Sequence, residues 1–325
     1  MNNQSNQIPI YELSVNILTT WQAHSLSNLG NNGTNRTMPR RQLLSDGTET
    51  DACSGSIAKR FHAALLTEQM MDKEIYLCPV CAAGDGRRAG ANKTAGLDMS
   101  SILACGMCDS HGFLITSKKG KKDGENENGS EDRERLSKNS LVEFSFALAL
   151  PGQMAESPQL FTRRASRYED GVDQENGQMI FKKSVRSGTY AQCVRYKAAG
   201  VGVDTEIWQT VITDEEERLR RRHAILMALR DQIQSPGGAM TAILLPHLTA
   251  IQGVVAIKTT VGRAPLYSPL SPDFVSMIEN LQTDSCLIFV FNNLVEFHVL
   301  FQRLLSESYP VQPKIRQVTL PEVMS

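Results

Sequence analysis

Apolar and polar positions alternate along IYELSVNILTTWQ, so Ile10 to Trp21 reads as a strand of β-favouring residues. The following SNLGNNGTNRTMPRRQLLSDGTETD is dense in Gly, Asn, Asp and Pro, which predicts a long exposed loop. In SGSIAKRFHAALLTEQMM the spacing changes to helical, with Ile57, Phe61, Ala64 and Leu65 on one face and Ser54 or Ser56 available as N-cap. From Ile75 to about Asn139 apolar periodicity lapses, and the tract SKKGKKDGENENGSEDRER cannot supply a core of its own; this is an insertion. Strand character returns in SLVEFSFALALP and ends at Pro151-Gly152. Residues 153–189 are polar again, and FTRRASRY and MIFKKSVRS read as two arms of a projecting hairpin around the turn signals of YEDGVDQENGQM. GTYAQCVRYKAAGVG reads as strand with its register open, because Tyr190, Cys193 and Tyr196 do not share a parity. TDEEERLRRRHAILMALRDQI predicts a helix opened by the capping-box pair Thr213 and Glu216 and stopped by QSPGG. AILLPHLTAIQGVVAIKTTVG and SCLIFVFNN supply the last apolar strands.

The order β, α, insertion, β, hairpin, β, α, β, β predicts an α+β fold of the ferredoxin-like type with two insertions. At 325 residues the chain can bury a large core. No run approaches the roughly 18 to 20 apolar residues of a membrane span, and MNNQSNQIPIYEL lacks the layout of a secretory signal, so the expected location is the cytoplasm, with no membrane partner. Net charge is −1, which by itself argues for no nucleic-acid partner. Distribution says more: base is concentrated in RTMPRRQ, AKRFH, FTRRASRY, FKKSVR and RLRRRH. The last run reads as a solvated helical face, with Glu216/Arg220 and Glu217/Arg221 at i,i+4.

Four of the seven cysteines form two Cys-x-x-Cys pairs, Cys78/Cys81 and Cys105/Cys108, with 23 residues between Cys81 and Cys105. In a reducing compartment two such pairs favour metal ligation over disulfides, and four thiolates in a tetrahedron suit Zn2+. A catalytic zinc needs an open position and an acid or base, and no His-x-Glu precedes Cys78 in the manner of the zinc deaminases. The expected metal is therefore structural, with Asp109 and His111 as spare donors. Cys53, Cys193 and Cys286 read as small core residues.

The Gly- and Asn-rich loop and the helix start ACSGSIAKRFH could approach phosphate oxygens, with Arg40, Arg41, Lys59 and Arg60 adding charge. The hairpin joins Arg163, Arg164, Arg167, Lys182, Lys183 and Arg186 to Phe161, Tyr168 and Phe181, a combination that single-stranded nucleic-acid binders use. Each of these segments also fits a solvated surface. No G-x-x-x-x-G-K-[ST] is present, which disfavours a nucleotide triphosphatase.

The opening ELSVNILTTWQAHSLSNLGNNGTNRTMPRR, followed by ACSGSIAKRFHAALL, resembles the DevR-type backbone subunits of type I CRISPR effector complexes (Cascade), the CRISPR-associated protein seven family of the RAMP superfamily. SPGGAMTAILLPHLTAIQGVVAI resembles that family's Gly-rich approach to a late strand. The resemblance implies an RRM-like palm (8–75, 140–152 and 190–310), a zinc-binding fingers insertion (76–139), a thumb hairpin (153–189) and a C-terminal tail (311–325). It implies a non-catalytic subunit that lines up with copies of itself and other subunits along a CRISPR guide RNA and presents the guide to target DNA. Carried over by position, Asn28, Arg36, Arg40 and Arg41 match the basic loop, and Ser54, Ser56, Lys59, Arg60 and His62 match the helix start; these are the expected RNA contacts. Thumb contacts follow by position alone. Type III relatives cleave RNA with an aspartate in the corresponding loop, which makes Asp46 and Asp51 candidates for a metal-dependent ribonuclease. A zinc-finger regulator of duplex DNA is the third reading; it requires a recognition helix, and nothing between Cys81 and Cys105 has helical periodicity.

Overall fold

The protein is described from a computed structural model, which covers residues 7–31, 36–91, 98–118, 133–169 and 172–311. Seven strands carry the main sheet: β1 (Glu12–His24), β2 (Arg41–Leu43), β3 (Glu49–Cys53), β4 (Ala147–Glu169), β5 (Val172–Tyr196), β6 (His247–Lys258) and β7 (Cys286–Phe291). Five helices matter here: α1 (Gly55–Asp72), α2 (Pro79–Ala82), α3 (Gly106–His111), α4 (Glu215–Gln234) and α5 (Leu294–Glu307). The sheet runs β7-β6-β1-β5-β4-β3-β2, with every neighbouring pair antiparallel. Its centre is built by β1, α1, β4, β5, α4 and β6 in chain order, laid side by side as β6-β1-β5-β4.

Strand alternation decides which residues meet the helices. Leu13, Val15 and Ile17 of β1 point into the main core with α1 and α4, while Leu18 belongs to a smaller cluster on the other face with Val254, Ala256, Phe274 and Ile278. The polar positions on that second face are also satisfied: Ser14 donates to the Pro265 carbonyl, and the Tyr267 N–H donates to Asn16 Oδ1 at 3.1 Å. Residues 264–278 thus cover part of the sheet face opposite the helices.

Helix boundaries follow their caps. Ser54 caps α1 by accepting from the Ile57 N–H, and the helix buries His62, Leu66 and Met70, an i, i+4, i+8 stripe one position away from the face expected from Phe61 and Ala64. α4 is capped by Asp214, which accepts from the N–H groups of Glu216 and Glu217, not by the Thr213/Glu216 box. Its RLRRRH run is no solvated face either: Arg218, Arg221 and Arg222 are buried. Arg221 donates to the Leu103 and Ala104 carbonyls, both at 2.7 Å, and to Asp109, so its guanidinium serves as a bracket between α4 and the cysteine segment. Glu217 pairs with both Arg220 and Arg221, whereas no Glu216–Arg220 pair forms.

Beyond the last strand expected from the sequence, the chain forms a further helix, α5. Asn293 accepts from the Glu296 N–H, and Phe297, Leu300, Phe301 and Leu304 are buried. This is an N-cap, with the Glu296 carboxylate reaching back to the Asn292 N–H, followed by an i, i+3, i+4, i+7 stripe.

Candidate metal centre and nucleic-acid interface

Cys78 and Cys105 each stand immediately before a short helix, α2 and α3, so that Cys81 and Cys108 fall one turn later on the same side. The two knuckles interlock: the Cys78 N–H donates to Cys105 Sγ at 3.3 Å, and the Gly106 N–H donates to the Tyr76 carbonyl at 2.9 Å. All four sulfur atoms lie within 4.8 Å of one another and all four residues are buried. A tetrahedral zinc with bonds of about 2.3 Å needs sulfurs about 3.8 Å apart, so the cage has the right size for one ion. The donor chemistry agrees. Hydrogen bonds from Cys108 and Cys81 pull the Cys105 thiol far down, while the same shared protons push Cys81 up, so without a cation the quartet cannot ionise together. The spare donors are engaged elsewhere: His111 Nε2 lies 2.8 Å from His62 Nδ1, and Asp109 accepts from Lys138, Arg221 and the Gly202 N–H.

The insertion does not stand apart from the core. The four cysteines belong to the same buried cluster as Leu66 and Met70 of α1 and Ala224 and Ile225 of α4. The Leu141 N–H donates to the Ser110 carbonyl, and Lys138 donates to the Gly200 and Val203 carbonyls as well as to Asp109.

The basic loop, the helix start and the root of the hairpin meet at Ser27, whose Oγ accepts from Arg40 Nε (3.1 Å) and from the Ser54 N–H (3.4 Å). Strand Arg36–Pro39 runs parallel to the hairpin at Lys182 and Lys183, and Arg41 forms an ion pair with Glu156 on the opposite arm. Beneath them Asp51, fully buried, accepts from Arg186 Nη1 (3.0 Å) and from the Tyr190 hydroxyl (2.7 Å). Arg186 reaches on to the Ser27 carbonyl at 2.7 Å, and His24 bonds the Tyr190 hydroxyl. Among the expected RNA contacts, Arg40, Arg41, Lys182, Lys183, Ser54 and Asn28 therefore gather around one junction.

The helix-start motif divides by role. Ser54 is spent as the cap, Gly55 is required because a Cβ there would lie 2.3 Å from the Phe144 carbonyl oxygen, and Ser56 and Arg60 face solvent. His62 is a correction: it is buried, stacked on His111, and cannot reach RNA. Burial holds its ring at about 4. Its signal was legible in the spacing to Leu66 and Met70. Lys183 sits over the Phe181 ring, and Phe181 stacks on Phe161 across the hairpin. Arg163, Arg164 and Arg167 lie on β4, with side chains outside the described residues, as is the Arg36 side chain.

Of the ribonuclease candidates, Asp51 is locked under Arg186, and Asp46 sits in an exposed turn accepting from the Thr48 N–H at 2.8 Å. For the duplex-DNA reading, the interval between Cys81 and Cys105 does form a helix, Met99–Leu103, capped by Asp98, contrary to the sequence expectation, but it is only five residues long with Ile102 and Leu103 buried, and every residue of α3 is buried.

His24 gives a pH expectation. Burial and then the Arg186 charge lower its ring to about 3, against 6.5 for a free histidine. Between those values the unfolded chain binds a proton that the folded chain does not, so stability falls as pH drops below 6.5. The expected loss is roughly 1.4 kcal/mol per pH unit. His24→Gln should reduce the slope in urea melts by that share and leave the part owed to His62 and His111, which burial also lowers; an unchanged slope would contradict the assignment.

Residues 15–278 match the family described as CRISPR-associated negative auto-regulator DevR/Csa2. The chain belongs to the DevR/Csa2 family. Two solved structures are similar in outline. One is described as a CRISPR RNA-guided surveillance complex, pre-nicking (12% identity, TM-score 0.46, covering 85% of this chain and 90% of that chain). The other is a CRISPR RNA-guided surveillance complex (11% identity, TM-score 0.45, 92% and 94%). No curated protein matches the chain. Among the described residues no helix is long and apolar enough to cross a membrane.

Proposed function

We propose that the chain is a non-catalytic guide-RNA-holding subunit of a CRISPR effector complex. The observation that carries this reading is the junction at Ser27 and Asp51, which fixes the basic loop, the helix start and the hairpin root as one surface. Phosphate contacts position a strand without reading it, which is what a subunit serving many guides requires. The βαββαβ centre with antiparallel order β6-β1-β5-β4 is read as a ferredoxin-like, RRM-like palm, the hairpin as its thumb, and the cysteine segment as a Zn2+-stapled fingers element. In an RRM the bases stack on the sheet; here residues 264–278 cover part of that face, which moves the RNA to the loop and thumb. Copies arrayed along the guide would then expose it for pairing with target DNA, in the cytoplasm.

The test is a salt titration of single-stranded RNA binding by fluorescence anisotropy. Arg40→Ala, Arg60→Ala and Lys182→Ala should each weaken affinity for all sequences alike and lower the log–log salt slope by about 0.7. Losses confined to particular sequences would refute backbone holding. Mg2+-dependent cleavage of RNA that disappears in Asp46→Ala would instead establish the ribonuclease reading.

A further inference from the structure

Strand β7 is one edge of the main sheet, and its six residues, CLIFVF, carry no charge, proline or bulge, the devices that keep an open edge from pairing. The Thr259 N–H donates to the Ser285 carbonyl at 3.0 Å, so alternate residues from Leu287 to Phe291 bond β6, and the N–H and C=O groups of Ile288 and Val290 point outward. Among the described residues no strand pairs with that side; only Cys286 is bridged, to Thr283. Apolar side chains flank the edge on both faces. On the helix side Arg303 of α5 lies over the Phe289 ring, and Val299 and Val295, one and two turns before it on the same stripe, are 60% and 72% exposed. On the other side Ile288 and Val290 pack with the short helix Phe274–Glu279, where Met277 and the following Leu281 are exposed. An added strand would supply the missing hydrogen bonds and cover both flanks, which a helix could not.

Charge narrows the occupant. Residues 271–307 hold five acids, Asp273, Glu279, Asp284, Glu296 and Glu307, against one base, Arg303, which pairs with Glu307. Glu279 and Asp284, near the start of β7, form no ion pair among the described residues. Such a surface repels phosphate and suits a basic segment. Residues 312–325, QPKIRQVTLPEVMS, lie outside the described residues, and their sequence holds one: Lys314 to Leu320 has two bases, no acid, β-branched Ile315, Val318 and Thr319, and Pro313 and Pro321 at its ends. Its seven residues match the length of β7. Laid parallel to β7, it brings Lys314 and Arg316 to Glu279 and Asp284. The described chain ends at Val311, bonded to the Ile10 carbonyl, at the end of the sheet where β7 begins. The chain's own tail has the wrong hand for that place. With the helices facing the viewer and β1 pointing up, β1-α1-β4 moves right between up-pointing strands, and β5-α4-β6 moves left between down-pointing ones; both are right-handed. Because β7 points up, its own tail laid parallel to it after α5 would move left between up-pointing strands, a left-handed crossover.

We propose that β7 receives the Lys314–Leu320 segment of a second copy of this chain as an added parallel strand. The contact is heterologous, tail to edge, so it can repeat from copy to copy. It goes beyond the RNA-holding reading and needs no RNA.

The experiment uses the full-length protein freed of nucleic acid, with sedimentation velocity across a concentration series and hydrogen–deuterium exchange of segment 286–291. Wild type should associate as concentration rises, with protection of the Ile288 and Val290 amides rising in step. Lys314→Glu with Arg316→Glu should weaken association about tenfold, and so should Glu279→Lys with Asp284→Lys. Combining the two reversals should restore it, a rescue that no folding defect produces. Wild type that stays monomeric with both amides unprotected overturns the proposal. Protection that is independent of concentration and lost on reversing the tail charges makes the chain's own tail the occupant, and the second copy is then wrong. Association that none of these changes alters places the contact elsewhere and overturns the proposal as well. Val290→Pro removes an outward N–H and spares the β6 ladder; association lost in that variant but untouched by tail reversal means that another segment pairs with the edge, and the tail assignment fails. None of these outcomes touches the RNA-holding reading, which rests on its own salt titration.

Discussion

Cys105→Ser is expected to release the metal and to unfold much of the chain along with it, not merely to loosen residues 76–139. The polarity of the insertion argues for a separable module; the packing argues against one. Cys105 and Cys108 share a buried cluster with α1 and α4, Arg221 of α4 is bonded to the two carbonyls that precede Cys105, and His62 of α1 is bonded to His111 of α3. Losing the ion therefore withdraws the partners that satisfy buried charges on α4. Structural zinc contributes about 10–16 kcal/mol of apparent folding free energy in small zinc domains. That is comparable to the roughly 5–15 kcal/mol that keeps a whole domain folded. Far-ultraviolet circular dichroism and a chelator-linked metal assay on the same samples check it: helical signal and metal should be lost in parallel, for Cys105→Ser and for wild type treated with chelator. A variant without metal that keeps its helical signal and its melting temperature would establish a detachable insertion.

What the sequence made legible was whatever depends on local periodicity and spacing. The β1 alternation, the α1 start, the paired Cys-x-x-Cys knuckles and the hairpin arms all carry their signal within a dozen residues, and each is found close to its expected place. What escaped was decided by long-range partners. RLRRRH looks solvated because four cations in five residues seldom enter a core; here Asp109 and the carbonyls of Val201, Leu103 and Ala104, from distant segments, accept from Arg218 and Arg221. His62 stands in the helix-start motif that suggests an RNA contact, although its spacing to Leu66 and Met70 already places it inside. Asp51 is the reverse case, an aspartate of the expected loop that lies on β3, where Arg186 and Tyr190, 135 and 139 residues away, make its burial tolerable. Helix α5 is legible in its cap and apolar stripe, but the continuous apolar run of β7 directly before it dominates the local pattern.

Asp51→Ala is expected to destabilise the protein by about 3–5 kcal/mol, because it strands the Arg186 guanidinium in the core and takes the acceptor from the Tyr190 hydroxyl. Asp51→Asn, which keeps the shape and one acceptor oxygen, should be milder. RNA binding gives the more discriminating readout, since simple electrostatics and the structural argument differ in sign. Removing an acid from beneath a basic surface would strengthen phosphate binding if charge alone mattered. The Asp51–Arg186–Ser27 chain instead predicts weaker binding: without it, the Ser27 loop that holds Arg40 and the capped start of α1 is no longer tied to the hairpin root. Anisotropy at a temperature where both variants remain folded, judged by circular dichroism, separates the two. Affinity that rises in Asp51→Ala would show that the junction is a passive fold element; affinity that falls, while the salt slope per retained contact stays near 0.7, would identify Asp51 as the residue that organises the RNA surface without touching it.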